Sequence, residues 1–267
     1  MGSPPTGRFS LAGKRGLVLG IANEHSIATG CARAFAEGGA TLAATYLNDK
    51  AKPFVAAVTD ELPCPILLPC DVELPDALEA VFAQVAQAWG GLDFLLHSIA
   101  YAPAADLHGR LVDSSAAGFA QAMDISCHSF LRAARLAEPL MPLGGTLLAV
   151  TFYGSERVVP HYNLMVPHYN LMGPVKAALE SAVRYAAAEL GPRGIRVHAL
   201  SPGPIRTRAA AGLDHFDDML AAASAAPEHR LVGINEVGSL AAFLVSDAAR
   251  MITGTIIPID GGQHLLA

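Results

Sequence analysis

The sequence has no long apolar run and no secretion signal. Its longest uncharged segments, residues 139–155 and 158–175, are interrupted by prolines together with glycines, histidines or asparagines. A membrane-spanning helix needs about 20 predominantly apolar residues in a row, and the N-terminus shows no basic stretch followed by an apolar one. We therefore expect a cytoplasmic protein that does not cross a membrane.

Basic clusters and metal-binding patterns are also missing. The net charge is −6 and the 18 lysines and arginines are scattered, which argues against a nucleic-acid partner. The 4 cysteines form no C-x-x-C pair, and no cysteine–histidine group has the spacing of a zinc site. We expect no metal site, and we expect reduced, buried cysteines at Cys31, Cys64, Cys70 and Cys127.

The composition suits one large domain. The chain has 267 residues, of which 52% are hydrophobic and 16% are charged, enough for a substantial core. No linker rich in proline, glycine or serine divides the chain. We expect a single domain over residues 1–267, with a flexible tail at residues 1–7.

Strand-like and helix-like segments alternate along the chain. Apolar runs of strand length lie at residues 15–20, 41–46, 65–69, 92–97, 146–151, 195–200 and 255–259. Helical patterns lie between them at about residues 26–38, 50–61, 75–89, 115–138, 170–190 and 235–246. This alternation predicts right-handed crossovers and a Rossmann-like, doubly wound sheet of seven parallel strands with helices on both faces. Ligands of such sheets bind at the carboxyl ends of the strands, where the strand order reverses.

The first strand is followed by GIANEHSIA, residues 20–28, in which Gly20 ends the strand and Ser26 opens a helix. A glycine there lets the backbone approach a pyrophosphate, and the helix N-terminus offers free N–H groups. Ser26 is suited to cap the helix and to donate to a phosphate. The segment is not G-x-G-x-x-G, however, and a lone turn of this kind is as often structural.

Three further strands end in residues that suit the same ligand. Asp71 follows the third strand, where it could accept from an adenine amino group or simply cap a helix. Small residues at 98–100 follow the fourth strand. After the sixth, the backbone of Ile205 could hold a nicotinamide carboxamide and Thr207 could reach the pyrophosphate. Together, the four strand ends predict a nicotinamide dinucleotide site.

The residues after the second strand indicate which dinucleotide binds. Residues 46–48 include no arginine or lysine to hold a 2′-phosphate and no acidic residue to bind ribose hydroxyls. Lys50 is the only cation that we identify nearby. We expect NADH rather than NADPH.

Tyr169 and Lys176 are seven residues apart, so a continuous helix would place both on one face. A lysine beside the cofactor holds ribose hydroxyls and lowers the pKa of the phenol, which donates to an oxygen that becomes negative when hydride arrives. By itself such a pair is weak, because an amphipathic tyrosine and a solvated lysine give the same spacing.

The chain resembles the bacterial NADH-dependent enoyl-acyl-carrier-protein reductases, which are divergent short-chain dehydrogenase/reductases. The resemblance covers roughly residues 8–264 and rests on GIANEHSIA (20–28), DV (71–72), HSIA (97–100), YNLMGPVKAALE (169–180), GPIRTRAA (203–210) and IDGG (259–262). Tyr-x6-Lys is its most specific motif. Ordinary members of the superfamily have Tyr-x3-Lys, whereas the residue four after Tyr169 is Gly173.

The resemblance implies hydride transfer from NADH to the β-carbon of a trans-2-enoyl thioester on acyl carrier protein, in bacterial type II fatty acid synthesis. It implies a homotetramer, Tyr169 stabilising the enolate oxygen, a substrate contact at Ala102, and an acyl chain under a flap within about residues 203–233. The strand-end loops and the resemblance together assign the cofactor site to Gly20, Ile21, Ala22, Ser26, Ile27, Leu47, Asp71, Val72, Ser98, Ile99, Ala100, Lys176, Ile205, Arg206, Thr207, Arg208 and Ala209.

Three residues near the predicted site allow more than one interpretation. The family often has a second tyrosine where this chain has Phe152, and the adjacent Tyr153 could serve instead as a catalytic residue. His97 ends the fourth strand and is expected to be a hydrogen-bonded core residue. Ser155 resembles the serine of ordinary superfamily members, but without Tyr-x3-Lys it is interpreted as a loop serine.

A tandem duplication precedes Lys176, since residues 159–165 and 166–172 both have the sequence VPHYNLM. Tyr162 of the first copy is fourteen residues from Lys176, which in a continuous helix would add about 10 Å of rise. We therefore expect Tyr169 to be the working tyrosine and the first copy to lie in a longer loop near the substrate mouth. Two other functions stay open: reduction of a carbonyl or alcohol substrate, and dinucleotide binding without catalysis, which the duplication favours.

Overall fold

The protein is described by a computed structural model that covers residues 7–107, 110–158, 170–205 and 226–266. Within these ranges the strands are β1 (Arg15–Leu19), β2 (Thr41–Tyr46), β3 (Ile66–Pro69), β4 (Phe94–His97), β5 (Gly145–Val150), β6 (Ile195–Pro202) and β7 (Thr255–Ile259). The helices are α1 (Ile27–Glu37), α2 (Lys52–Thr59), α3 (Ala77–Trp89), α4 (Ala104–Leu107), α5 (Ala116–Met123), α6 (Ser129–Ala137), α7 (Met172–Leu190) and α8 (Ile234–Val245).

The seven described strands form one parallel sheet in the order β3-β2-β1-β4-β5-β6-β7. The predicted strands are confirmed to within two residues at either end, because each is an apolar run; the inner strands are buried on both faces, whereas the edge strands β3 and β7 are mostly only partly buried. The strand order reverses between β1 and β4, where Leu19 and His97 are aligned at the strand ends.

Two apolar clusters cover the two faces of the sheet. One unites residues of α3, α6 and α7 with Leu17 and Leu95, and the other unites residues of α1, α2 and α8 with Val18 and Leu96. Neighbouring residues of one strand thus serve opposite faces, as the two-residue period of a strand requires. The predicted doubly wound architecture is confirmed.

One crossover departs from the prediction of uniform right-handedness. The steps from β5 to β6 and from β6 to β7 run in the same direction across the sheet. Their helices, α7 and α8, nevertheless pack on opposite faces, so the two connections have opposite hands. Crossovers are usually right-handed because the connecting helix packs directly back on the strands that it joins. Here a long segment follows β6, and it allows the chain to reach the other face of the sheet.

α8 lies against α1 because both helices carry a glycine at the contact. A Cβ atom on Gly30 would collide with the backbone of Ile234, and one on Gly238 would collide with that of Gly30. This close approach fixes α1, whose N-terminus faces the predicted cofactor loop.

The predicted helix at residues 115–138 is interrupted, because Asp124–His128 forms a π-helical segment between α5 and α6. The short α4 was not predicted. No helix within the described ranges is long and apolar enough to cross a membrane.

The predicted burial of the cysteines is confirmed with one correction. All four cysteines are free, and Cys31, Cys70 and Cys127 are buried, but Cys64 is partly exposed just before β3. Burial raises the pKa of the Cys31 thiol to about 12.

Candidate active site

Gly20 lies where the ends of β1 and β4 meet. Its φ is +103°, and a Cβ atom there would collide with the carbonyl oxygen of Ser98. The N–H of Ser98 in turn donates to the carbonyl of Leu19 at 2.9 Å. The two predicted cofactor loops, 20–28 and 98–100, are therefore in direct contact at the reversal of strand order.

Ser26 organises the loop rather than capping α1, which corrects the predicted capping role. Its hydroxyl donates to the carbonyl of Asn23 at 2.9 Å and accepts from the N–H of Ala22 at 3.3 Å. It accepts no cap hydrogen bond from a backbone N–H of the first turn of α1 among the described residues, although it lies 2.9 Å from the hydroxyl of Thr29 in that turn. The N–H groups of Thr29 and Gly30 donate to the carbonyl of Ser26 at 2.9 and 3.3 Å, so within the described residues those of Ile27 and Ala28 are left for another acceptor.

The ends of β2 and β3 form the side predicted to bind adenosine. Leu47 is exposed, whereas Val72 is buried and its carbonyl accepts from Arg132 Nη2 at 2.8 Å. Asp71 accepts from the N–H of Glu73 at 3.0 Å in a local turn. A further cation on this side, Lys52, was not predicted, and its ammonium lies 5.5 Å from the ring centroid of Tyr46.

The π-helical segment holds the chain after β4. The Ser126 hydroxyl accepts from the N–H of Tyr101 and donates to its carbonyl, both at 2.9 Å. Ala102, the predicted substrate contact, is buried beside it. Ser126 was not predicted to have a role, and the structural signal for it is a fully buried serine in a segment predicted as regular helix.

His97 is a buried core histidine, as predicted. Ser129 donates to the carbonyl of Ile125 at 2.6 Å, so it accepts from His97 Nε2 at 2.7 Å. Burial, reinforced by the nearby Lys176, lowers the pKa of His97 to about 3. The ring is therefore neutral, and its buried Nδ1 has no partner among the described residues.

Lys176 lies in the first turns of α7 with only 4% of its surface exposed. Its ammonium donates to the carbonyl of Val150, at the end of β5, at 2.7 Å. Burial lowers its pKa to about 8, a shift that Cys127 and Glu180 oppose. This geometry places a cation at the carboxyl edge of the sheet.

The tyrosines of the duplication lie outside the described residues, as do residues 206–209 and most of the predicted flap. Helix α7 begins at Met172, and its first backbone bonds reach back to Asn170 and Leu171. The placement of Tyr169 and Tyr162 therefore stays a prediction. Ile205 is described, partly buried, and packs against the core on the α1 face.

Glu180, one helical turn after Lys176, was not predicted to belong to the site. Its Oε1 accepts from Thr151 Oγ1 at 2.6 Å and from Ser155 Oγ at 2.5 Å. Ser155 is thus tied to α7 and is more than a loop serine. The available signal was a glutamate on the same helix face as Lys176, in a segment that is otherwise apolar.

Tyr153 points toward the C-terminal segment. Its hydroxyl accepts from Gln263 Nε2 at 3.3 Å, and burial together with nearby Asp260 raises its pKa. Gly203, after β6, approaches Asp260 so closely that a Cβ atom there would lie 3.1 Å from the Asp260 Cβ. The ends of β5, β6 and β7 therefore converge around Tyr153.

These features fit a dinucleotide. Gly20 lets the loop after β1 lie directly against the backbone of Ser98, the α1 N-terminus opens beside it, and Lys176 supplies a buried cation two strands away. Among the described residues, no group of three or more histidine, cysteine or acidic side chains could hold a metal ion.

The sequence matches the family profile described as Enoyl-(Acyl carrier protein) reductase over residues 20–264. It is 44% identical over 253 residues to Enoyl-[acyl-carrier-protein] reductase [NADH] 1 of Rhizobium meliloti (strain 1021), covering 94% of this chain and 90% of that protein. It is 43% identical over 259 residues to Enoyl-[acyl-carrier-protein] reductase [NADH] FabI of Salmonella typhimurium, covering 96% of each.

The fold agrees with a solved relative. The crystal structure of the enoyl-(acyl-carrier-protein) reductase of Anaplasma phagocytophilum in complex with NAD has a TM-score of 0.90, at 40% identity and with 98% of each chain covered. At this coverage, the whole described sheet has a counterpart in the solved relative. The chain belongs to the enoyl-acyl-carrier-protein reductase family.

Proposed function

We propose that this chain reduces trans-2-enoyl thioesters carried by acyl carrier protein, with NADH, in bacterial type II fatty acid synthesis. The observation that carries the proposal is the carboxyl edge of the sheet, where Gly20 meets Ser98 and Lys176 is buried on the carbonyl of Val150. It lies in a chain similar over nearly its whole length to reductases named for this reaction. We further propose a cytoplasmic homotetramer, which size-exclusion chromatography with light scattering would test.

Each strand end has a proposed task. The loop after β1 binds the pyrophosphate through Gly20, Ile21, Ala22, Ser26 and Ile27. Thr207 also contacts the pyrophosphate, and the other proposed cofactor contacts of that segment are Arg206, Arg208 and Ala209. Leu47, Asp71 and Val72 hold adenosine, residues 98–100 line the cleft floor, and Ile205 orients the nicotinamide. When bound, NADH supplies the hydride.

The catalytic residues act on the thioester oxygen. The Tyr169 hydroxyl donates a hydrogen bond to the thioester carbonyl as that oxygen becomes an enolate. The Lys176 ammonium holds ribose hydroxyls and favours the ionised phenol, which makes Tyr169 a stronger acid. Ala102 contacts the substrate through its backbone, and Tyr153 borders the same space from the end of β5.

The substrate class is tested with two thioesters. We expect the purified chain to oxidise NADH with crotonyl thioester and not with acetoacetyl thioester, because Tyr-x3-Lys is absent. Oxidation with acetoacetyl thioester alone would identify a carbonyl reductase. NADH binding seen by fluorescence, without turnover of any enoyl thioester, would instead support a binding protein that has lost catalysis.

The tyrosine assignment is tested with the matched pair that the duplication supplies. Tyr169→Phe should lower kcat for crotonyl thioester by about 100-fold or more, since it removes a donor to the developing oxyanion. Tyr162→Phe should leave kcat unchanged, because only Tyr169 keeps the seven-residue spacing to Lys176. The opposite pattern would transfer the role to the first copy.

A further inference from the structure

The end of β5 is tied to α7 at three points. Lys176 Nζ donates to the carbonyl of Val150, while the hydroxyls of Thr151 and Ser155 donate to Oε1 of Glu180. Two side chains one helical turn apart thus hold the last residue of the strand and the first residues of the loop. We call Glu180, Thr151 and Ser155 the β5 clamp.

The clamp directs two hydroxyl groups at one carboxyl oxygen, and the Ser155 hydroxyl also lies 3.0 Å from the carbonyl of Phe152. Its two O–H···O distances, 2.6 and 2.5 Å, lie in the range of hydroxyl bonds to a charged oxygen. Glu180 is only 2% exposed, and a buried carboxylate needs such donors to stay charged. Burial raises its pKa, while the hydrogen bonds from Ser155 and Thr151 lower it.

The position of the clamp links it to the cofactor cation. Glu180 follows Lys176 at the spacing that puts two side chains on one helix face, and both are buried. If the strand end moved away from α7, the carbonyl of Val150 would leave the Lys176 ammonium. The clamp therefore controls where a cation required for NADH binding lies.

We propose that Glu180 is a positioning residue: its carboxylate holds the end of β5 against α7, so that Lys176 stays seated on Val150 and protonated in the cofactor cleft. This rests on the proposed function only in taking NADH as the ligand. Ionisable groups facing Lys176 and Glu180 also come from β4, the π-helical segment, the loop after β5 and α7 itself, namely His97, Cys127, Glu156 and Arg184.

The experiment compares a variant that removes the charge of Glu180 with variants that remove one of its hydroxyl donors and keep the charge. Glu180→Gln keeps an acceptor oxygen but removes the charge, whereas Thr151→Val and Ser155→Ala each remove one donor and keep the charge. Glu189→Gln, on an exposed turn of the same helix, is the matched control. NADH affinity is measured by fluorescence from pH 6.5 to 9.5, with melting temperatures and crotonyl thioester kinetics.

We expect Glu180→Gln to weaken NADH binding about tenfold and to move the alkaline loss of affinity down by about half a pH unit, because Lys176 loses a neighbouring negative charge. Thr151→Val and Ser155→Ala should weaken binding at every pH without moving that midpoint. KM for NADH should change more than kcat in all three, and Glu189→Gln should match the wild type.

Wild-type NADH affinity and an unchanged pH midpoint in Glu180→Gln would overturn the proposal. An equal midpoint shift in Thr151→Val would also overturn it, since that variant keeps the carboxylate. If Glu180→Gln does not fold, Ser155→Ala decides: wild-type affinity there rejects the clamp, and weakened affinity with an unmoved midpoint supports it. A wild type that binds NADH but reduces no enoyl thioester would reject the proposed function and leave this binding test intact.

Discussion

Gly20 shows how one missing side chain lets the ends of two strands meet. The left-handed φ of +103° and the contact with the Ser98 carbonyl both exclude a Cβ atom. The sequence alone located this glycine at a strand end. The reason that no other residue fits is the neighbouring strand β4, which lies more than seventy residues along the chain.

Gly20→Ala tests that requirement. We expect it to lower the free energy of unfolding by about 2–5 kcal/mol, from left-handed strain and from overlap with a backbone that cannot easily move, and to abolish NADH binding. Urea unfolding and fluorescence titration measure the two effects.

Gly90→Ala is the control for strain without collision. Gly90 has φ +69°, and no heavy atom lies within 4 Å of the position that a Cβ atom would take. Gly90→Ala should therefore lower the free energy of unfolding by about 1–2 kcal/mol and leave the affinity for NADH unchanged. Equal losses in the two variants would show that the Ser98 contact has no energetic importance.

At the scale of elements, the helical pattern in the sequence did not predict the π-helical segment Asp124–His128. Residues 115–138 are apolar enough for one continuous helix, and they are interrupted where Ser126 binds the backbone of Tyr101 and Ser129 binds His97. A π-helical turn shifts side chains relative to a regular helix, and such turns occur frequently at functional sites. Only contact with β4 and its loop selects that distortion.

Ser126→Ala should therefore loosen the chain after β4. The variant leaves the N–H and carbonyl of Tyr101 without their partner, which should lower the free energy of unfolding by about 1–3 kcal/mol. We expect faster hydrogen exchange at residues 98–102 and weaker NADH binding.

Ser239→Ala is the matched control, because that exposed hydroxyl only bonds the carbonyl of Asn235 within α8. Its exchange at residues 98–102 should equal that of the wild type. Unchanged exchange in Ser126→Ala would mean that the loop is held by other contacts.

At the scale of the whole molecule, two buried neutral histidines make the fold sensitive to acid. His97 on β4 and His198 on β6 are 1% and 0% exposed. Burial lowers their pKa values from 6.5 to about 3 and about 4. Below pH 6.5 these histidines bind protons in the unfolded chain but stay neutral in the folded chain. The free energy of unfolding therefore decreases as the pH falls below that value.

Urea unfolding between pH 7 and 5 should show this loss at up to about 1.4 kcal/mol per pH unit for each histidine. His97→Gln and His198→Gln should each remove one share of the slope. His25→Gln, at an exposed position, should leave the slope unchanged. A slope that persists in both buried variants would place the titration elsewhere.

The sequence by itself determined the doubly wound sheet, and it predicted the loops at the strand ends and the place of Lys176 beside them. These follow from apolar runs, glycine and the helical period, which are local properties of the chain. Tertiary structure decided the packing of α8 against α1, the π-helical turn and the β5 clamp. Each depends on backbone or side-chain groups distant in sequence that become partners only when burial removes water, and no local pattern records which buried polar group will meet which.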